Sequence, residues 1–172
     1  MATSETMVRM GELAVSSEPG HVLVSLGLGS CVALALLDRR MGIAGLAHIV
    51  LPRSQDPVNE NPRKFADLAV PELVSELQAL GARRIRLEAV LVGGASMFDV
   101  SASSLEVGQR NEAAVRELLG SMRIPVTAAA TGGTRGRTVR VDVGRAAVTV
   151  REAGGKETEL LAGTTPLEVI PA

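Results

Sequence analysis

Cys31 is the only cysteine in this chain of 172 residues, and with His48 it makes a pair of residue types suited to acyl chemistry. A free thiol ionises near pH ~8.5, and its thiolate is the nucleophile. A histidine within hydrogen-bond reach takes the thiol proton and later returns it to a leaving group. Gly29 and Ser30 precede Cys31 and leave the backbone open to close approach. Amide N–H groups near Cys31 would then face a developing oxyanion. A hydroxyl or carboxylate would serve to orient the imidazole. The same two residues have a plainer reading. A lone cysteine heading an apolar run is commonly a small buried hydrophobe, and a lone histidine in a strand a satisfied core residue. Composition leaves both readings open.

The elements that must position the pair are legible around it. Residues 22–26 (VLVSL), 31–37 (CVALALL) and 43–51 read as strands. The polar break Asp38-Arg39-Arg40-Met41-Gly42 makes the last two an antiparallel hairpin. A two-residue loop at Arg39-Arg40 would set Cys31 directly opposite His48, with Cβ atoms about 5 Å apart. Arg-Arg suits such a turn poorly, and a longer loop closed by Gly42 shifts the pairing by about one residue.

Further along, the segment 52–62 (PRSQDPVNENP) reads as a polar surface loop. Val70, Leu73, Leu77 and Leu80 recur at helical spacing, with Gly81 as the stop and Pro71 expected to kink the helix or begin its second half. Strands follow at 87–92, 125–129, 138–143 and 147–150, with a second helix over 111–119. No repeat, low-complexity segment or linker divides the chain, so residues 1–172 read as one α+β domain of mixed β-sheets with flanking helices.

Composition narrows the function. The net charge is −1, and Phe65 and Phe98 are the only aromatic residues, so neither a basic field nor a stacking platform exists for nucleic acid. One cysteine and two histidines form no metal cluster, and neither metal nor cofactor is expected. The longest apolar stretch, MGIAGLAHIVL, is about half of what a membrane helix needs. A cytoplasmic protein is the expectation. Three other segments read as structural. The arginines of TGGTRGRTVR lack a phosphate-loop lysine and belong to a solvated turn. Ser96 in GGASMF lacks the spacing of a nucleophile elbow. His21 suits a surface or capping position, while Phe65, near the polar loop, is a candidate substrate contact.

Taken in order, LGLGSCVALALLDRRMGIAGLAHIVLP, the segment from KFADLAV to GGASMF, VGQRN and TGGTRGR closely resemble the CheD family of chemoreceptor glutamine deamidases. The resemblance implies a fold similar to that of bacterial toxin-type cysteine deamidases. It also implies that Cys31 is the nucleophile and His48 the general base. Ser25 stands where the family has a catalytic threonine, keeping the hydroxyl and losing the methyl. Ala129, Ala130 and Thr134 replace the acidic residues and asparagine usual around the last glycine-rich loop. The implied reaction is hydrolysis of glutamine side chains to glutamate on the helical cytoplasmic domain of chemoreceptors. A CheC-type phosphatase is the implied partner. The alternative from another class is a weakly catalytic or non-catalytic regulator acting through that phosphatase.

Overall fold

Residues 32–38 and 43–49 have room for almost no polar side chain, and the fold buries them from both sides. The computed structural model describes residues 3–54, 61–96 and 102–163, with side chains from residue 107 in the last stretch. Its strands are β1 Ser4–Met7, β2 Leu13–Ser16, β3 His21–Leu28, β4 Val32–Asp38, β5 Ile43–Ile49, β6 Glu88–Gly93, β7 Val126–Thr131, β8 Arg137–Asp142, β9 Ala147–Glu152 and β10 Glu157–Leu161. The helices are α1 Ala66–Ala79 and α2 Ala102–Ser121. One sheet has the order β1-β3-β8-β9-β10 and the other β2-β5-β4-β6-β7. The arrangement is α+β, as the sequence suggests.

Two cores account for the layering. On one face of the second sheet, Leu34, Leu36 and Leu91 pack against Val70, Leu73 and Leu77 of α1 and Val115 and Leu119 of α2. On the other face, Ala33, Ala35, Leu46 and Val90 meet Leu23, Val139, Val141 and Val148 of the first sheet. Each large aliphatic side chain so buried contributes about 1.5–3 kcal/mol. Because β4 and β5 lie between these cores, all of their residues are buried. That is why the run lacks the polar alternation of a strand with one wet face.

The hairpin forms, but with a longer loop than the tight turn requires. Its ladder closes at Asp38↔Ile43, leaving Arg39, Arg40, Met41 and Gly42 in the loop, with Gly42 at φ +67°. Ala33 rather than Cys31 therefore faces His48. Helix α1 runs on through Pro71, whose position in the second turn forfeits only the bond back to Asp67. The apolar stripe ends at Leu77, since Leu80 is exposed. Phe65 is buried, and its carbonyl accepts from the Ala69 amide at the start of α1. That placement removes it as a substrate contact. Helix α2 begins nine residues before the expected start at Asn111. Strands β1, β2 and β10 have no counterpart in the sequence reading.

At the loop end of the hairpin, the wholly buried carboxylate of Asp38 is fully engaged. Arg86 Nε lies 3.1 Å from Oδ1 and Nη2 lies 3.1 Å from Oδ2, while the amides of Met41 and Arg83 donate at 3.2 and 3.0 Å. Burial alone would raise its pKa, but Arg86 and the two amides outweigh it and hold the carboxyl below its ordinary range. Asp38→Ala removes the acceptor and strands the Arg86 guanidinium. It should lower stability by about 3–5 kcal/mol, read as a reduced urea midpoint at unchanged slope. A loss under about 1 kcal/mol would show the cluster to be dispensable.

Candidate functional site

Cys31 stands one residue before β4, half-buried against the core between the two sheets. Its backbone is gripped from β6. The Gly94 amide donates to the Cys31 carbonyl at 2.8 Å, and the Ala95 amide to the Gly29 carbonyl at 2.8 Å. Gly93, at φ +114°, passes so close that a Cβ there would lie 2.2 Å from the Cys31 oxygen. Only glycine fits both that clearance and that backbone conformation. The Gly93-Gly94 pair, which reads in sequence as the end of a strand, thus forms one wall of the cysteine turn.

His48 lies on the same side of the second sheet. It faces Ala33 across the ladder, and Cys31 precedes Ala33 by two residues on the face that meets the first sheet. The pair is therefore diagonal rather than directly opposed, a relation of about 7–8 Å between backbones that leaves longer side chains in reach. The His48 backbone is bracketed by the segment between β1 and β2: its amide donates to Glu12 O, and Gly11 donates to its carbonyl, both at 3.0 Å. From the same segment, Val8 O accepts from His48 Nδ1 at 3.2 Å. That bond makes Nδ1 the protonated nitrogen of the neutral ring and leaves the lone pair on Nε2. Nε2 is buried and has no hydrogen-bond partner among the described residues.

Ser25 arrives from the other sheet. A bulge at Leu26-Gly27, with Gly27 at φ +62°, breaks the β3–β8 register between Ser25 and Leu28. Both flanking residues consequently point inward and are buried. Ser25 Oγ donates to the same Val8 carbonyl at 2.8 Å. The structure so brings Ser25 and His48 onto one acceptor, whose two lone pairs serve both. The serine reaches the imidazole through this carbonyl. Sequence gives no signal for Val8, because a backbone carbonyl is present at every position.

Burial sets the charge state of the pair. It pushes the Cys31 thiol above its ordinary pKa, and hydrogen bonding from its own backbone amide offsets this only in part. Burial also lowers the pKa of His48, against the opposing pull of the Val8 carbonyl and the Glu12 carboxylate. Thiol and imidazole therefore rest as a neutral pair near neutral pH, not as thiolate and imidazolium.

The remaining candidates are structural. His21 bridges the sheets, with Nε2 at 2.6 Å from Thr6 Oγ1 and Nδ1 at 2.7 Å from Ser16 Oγ. Arg137 departs from the solvated-turn reading: it is buried, and its Nη1 donates to Gly132 O at 2.8 Å. Arg140 pairs with Glu5 at 3.0 Å. The Ser96 amide donates to Gly133 O at 2.9 Å, tying the two glycine turns together, while Met97 and Phe98 lie outside the described residues. Asn111, at the end of VGQRN, is fully buried, and its Nδ2 donates to Ser30 O and Val50 O. Residue-type reasoning passed over it because asparagine carries no reactive group. A hollow of about 460 Å³ includes Leu26, Arg140 and Arg151 in its lining but neither Cys31 nor His48.

Residues 50–152, beginning just beyond His48, match a family model described as CheD chemotactic sensory transduction. A protein of Clostridium kluyveri named "Probable chemoreceptor glutamine deamidase CheD" is 43% identical over 157 residues, 90% of this chain and 96% of that one. A protein of the same name from Clostridium botulinum is 42% identical over 157 residues, with the same 90% and 96% coverage. Another, from Methanococcus vannielii, is 43% identical over 145 residues, 84% of this chain and 93% of that one. Among solved structures, a Neisseria meningitidis protein of the DUF152 family overlaps with a TM-score of 0.48 and 11% identity, over 77% of this chain and 64% of that one.

The lowered pKa of His48 has a consequence for acid stability. Between its folded value and the ordinary 6.5, the unfolded chain binds the proton that the folded chain refuses. The imidazole's contribution is thus intact above that pH and is lost as pH falls below it. Urea midpoints should decline on the acid side of 6.5 in the wild type and decline less steeply in His48→Gln. Identical slopes in the two proteins would show that the ring does not titrate with unfolding.

Proposed function

The chain belongs to the CheD family, and from that premise we propose that it deamidates chemoreceptor glutamines with Cys31 as nucleophile and His48 as general base. The observation that carries this reading is the His48 ring: its Nδ1 is committed to Val8, and its Nε2 lone pair is unpartnered on the face shared with Cys31. Nε2 takes the thiol proton as Sγ attacks the glutamine carboxamide carbon. The tetrahedral intermediate collapses by breaking the C–N bond, and the imidazolium returns the proton to the departing amine, releasing ammonia. Water, deprotonated by Nε2, then adds to the thioester and expels the thiol. The product is glutamate, and the enzyme returns to its starting state.

Ser25 acts in this reading by fixing the Val8 carbonyl, so that the imidazole keeps one orientation through both half-reactions. Half-exposure of Cys31 suits a glutamine presented on a helical protein surface better than an enclosed small molecule. Among the described residues no helix is long and apolar enough to cross a membrane. The cytoplasmic face of the receptor, and hence the cytoplasm, is where such a substrate would be met. The family resemblance adds a CheC-type phosphatase as partner.

Intact-mass spectrometry of a receptor cytoplasmic fragment tests the assignment. Wild-type protein should add to each modified site the mass difference between an amide and an acid, and Cys31→Ala should add none while still binding a CheC-type partner. His48→Gln should lower kcat by about 10²–10⁴-fold. Ser25→Ala should lower it by about 10–10²-fold with KM nearly unchanged. Conversion by Cys31→Ala at the wild-type rate would overturn the mechanism.

A further inference from the structure

We propose that Asn111 is a positioning residue for this reaction, one that holds the Cys31 backbone at its working distance from His48; the proposal rests on the thiol–imidazole reading above. The β4–β5 ladder ends at Val32 opposite Ile49. One step outward, where Cys31 and Val50 would form the next rung, the Val50 amide donates instead to Lys64 O at 2.8 Å. Asn111 spans the gap. Its Nδ2 donates to Ser30 O and to Val50 O, both at 2.9 Å. One amide nitrogen thereby joins the residue before the nucleophile to the residue two beyond the base.

The same helix face grips the other side of the cysteine turn. Gly108 precedes Asn111 by three residues, which places it on the same side of α2. A Cβ on Gly108 would lie 2.6 Å from Gly94 O, and the Gly94 amide donates to Cys31 O. Gly108 and Asn111 thus seat α2 against both chain segments that flank the nucleophile. Glycine inside a helix weakens it, so the close approach is what the position is used for.

The unused oxygen separates positioning from mere filling. Asn111 is fully buried, yet its Oδ1 has no partner among the described residues. Both groups it binds are carbonyls, so the amide orientation is fixed by its two donors. The side chain serves two donor bonds and leaves its acceptor orphaned. A space-filling residue would leave no such acceptor.

The test compares wild type, His48→Gln, Asn111→Leu and Asn111→Asp. Leucine matches the volume and removes both donors; aspartate keeps the shape with at most one. Two measurements are made on each protein: the pH profile of Cys31 alkylation by iodoacetamide, and kcat and KM on a receptor cytoplasmic fragment. Asn111→Leu should lose about 10²-fold in kcat with KM within about twofold, and Asn111→Asp, which sets a carboxyl against two carbonyl oxygens, should lose at least as much. Their alkylation profiles should move from the wild-type curve toward that of His48→Gln. Lowered thermal stability is expected for any role and decides nothing. If Asn111→Leu fails to fold, Asn111→Asp carries the comparison. Profiles superimposed on wild type, with kcat within about threefold, would overturn the proposal. Should wild type leave the receptor fragment unmodified, the assigned reaction falls, while the alkylation profiles still decide whether Asn111 sets the thiol–imidazole geometry.

Discussion

A hairpin with no solvent on either face constrains everything attached to it. Each polar group on β4 or β5 must find a partner inside the protein, because desolvating one without a hydrogen bond costs on the order of 1–3 kcal/mol. The two ends of the hairpin meet that demand differently. At the loop end, Asp38 takes bonds from Arg86 and two backbone amides. At the opposite end, His48 Nε2 and Asn111 Oδ1 are left without partners. Two unmet acceptors thus lie close to the nucleophile, while the carboxylate at the loop end is fully engaged.

The same burial selects the form of the chemistry. A cysteine beside a cationic group or a helix N-terminus rests as a thiolate. Here desolvation raises the thiol and lowers the imidazole, so the resting pair is neutral and charge develops only as the proton moves. A neutral pair is also compatible with an aliphatic core: it places no uncompensated ion between the sheets before substrate arrives. The acceptor that orients the ring is likewise neutral. Val8 O fixes the tautomer as a neutral acceptor, and the pull of the Glu12 carboxylate, which does not bond the ring, is outweighed by burial.

Legibility in the sequence followed burial. β4, β5 and β6 announce themselves as continuous apolar runs, and β8, β9 and α1 by apolar residues that recur at the period of the element. β1, β2 and β10 are illegible because each is both short and the outermost strand of its sheet, whereas β7, also an edge, is legible at 125–129 from its longer run. An edge strand is half solvated and carries residues such as Ser4, Glu5, Glu157 and Glu159, whose place is fixed by a neighbour's hydrogen bonds. The start of α2 is not legible from residue pattern, and Gly108 within it proves to be a packing contact. Cys31 and His48 were readable as reactive types. Their diagonal relation was not, because it depends on a four-residue loop that Arg39-Arg40 does not specify. Asn111 was present in the VGQRN motif, but its role follows from where the β4–β5 ladder stops.

The edge position of β1 bears on the site itself. β1 pairs in parallel with β3, and Val8 continues that pairing by donating to Val24 O at 2.7 Å. The Val8 carbonyl accepts from both Ser25 of the first sheet and His48 of the second. Gly11 and Glu12, four residues further on at most, hold the His48 backbone before β2 pairs with β5. One short connection between the edges of two sheets therefore sets the imidazole by its ring and by its backbone. Edge strands are among the first parts of a fold to open. Anything that loosens β1 would release the ring from Val8 and free Nδ1, and with it the proton placement on which Nε2 depends. The base is thus only as well oriented as an edge strand allows, and the buried Ser25 hydroxyl, anchored in the interior strand β3, adds a side-chain bond to the backbone ladder that ties that edge down.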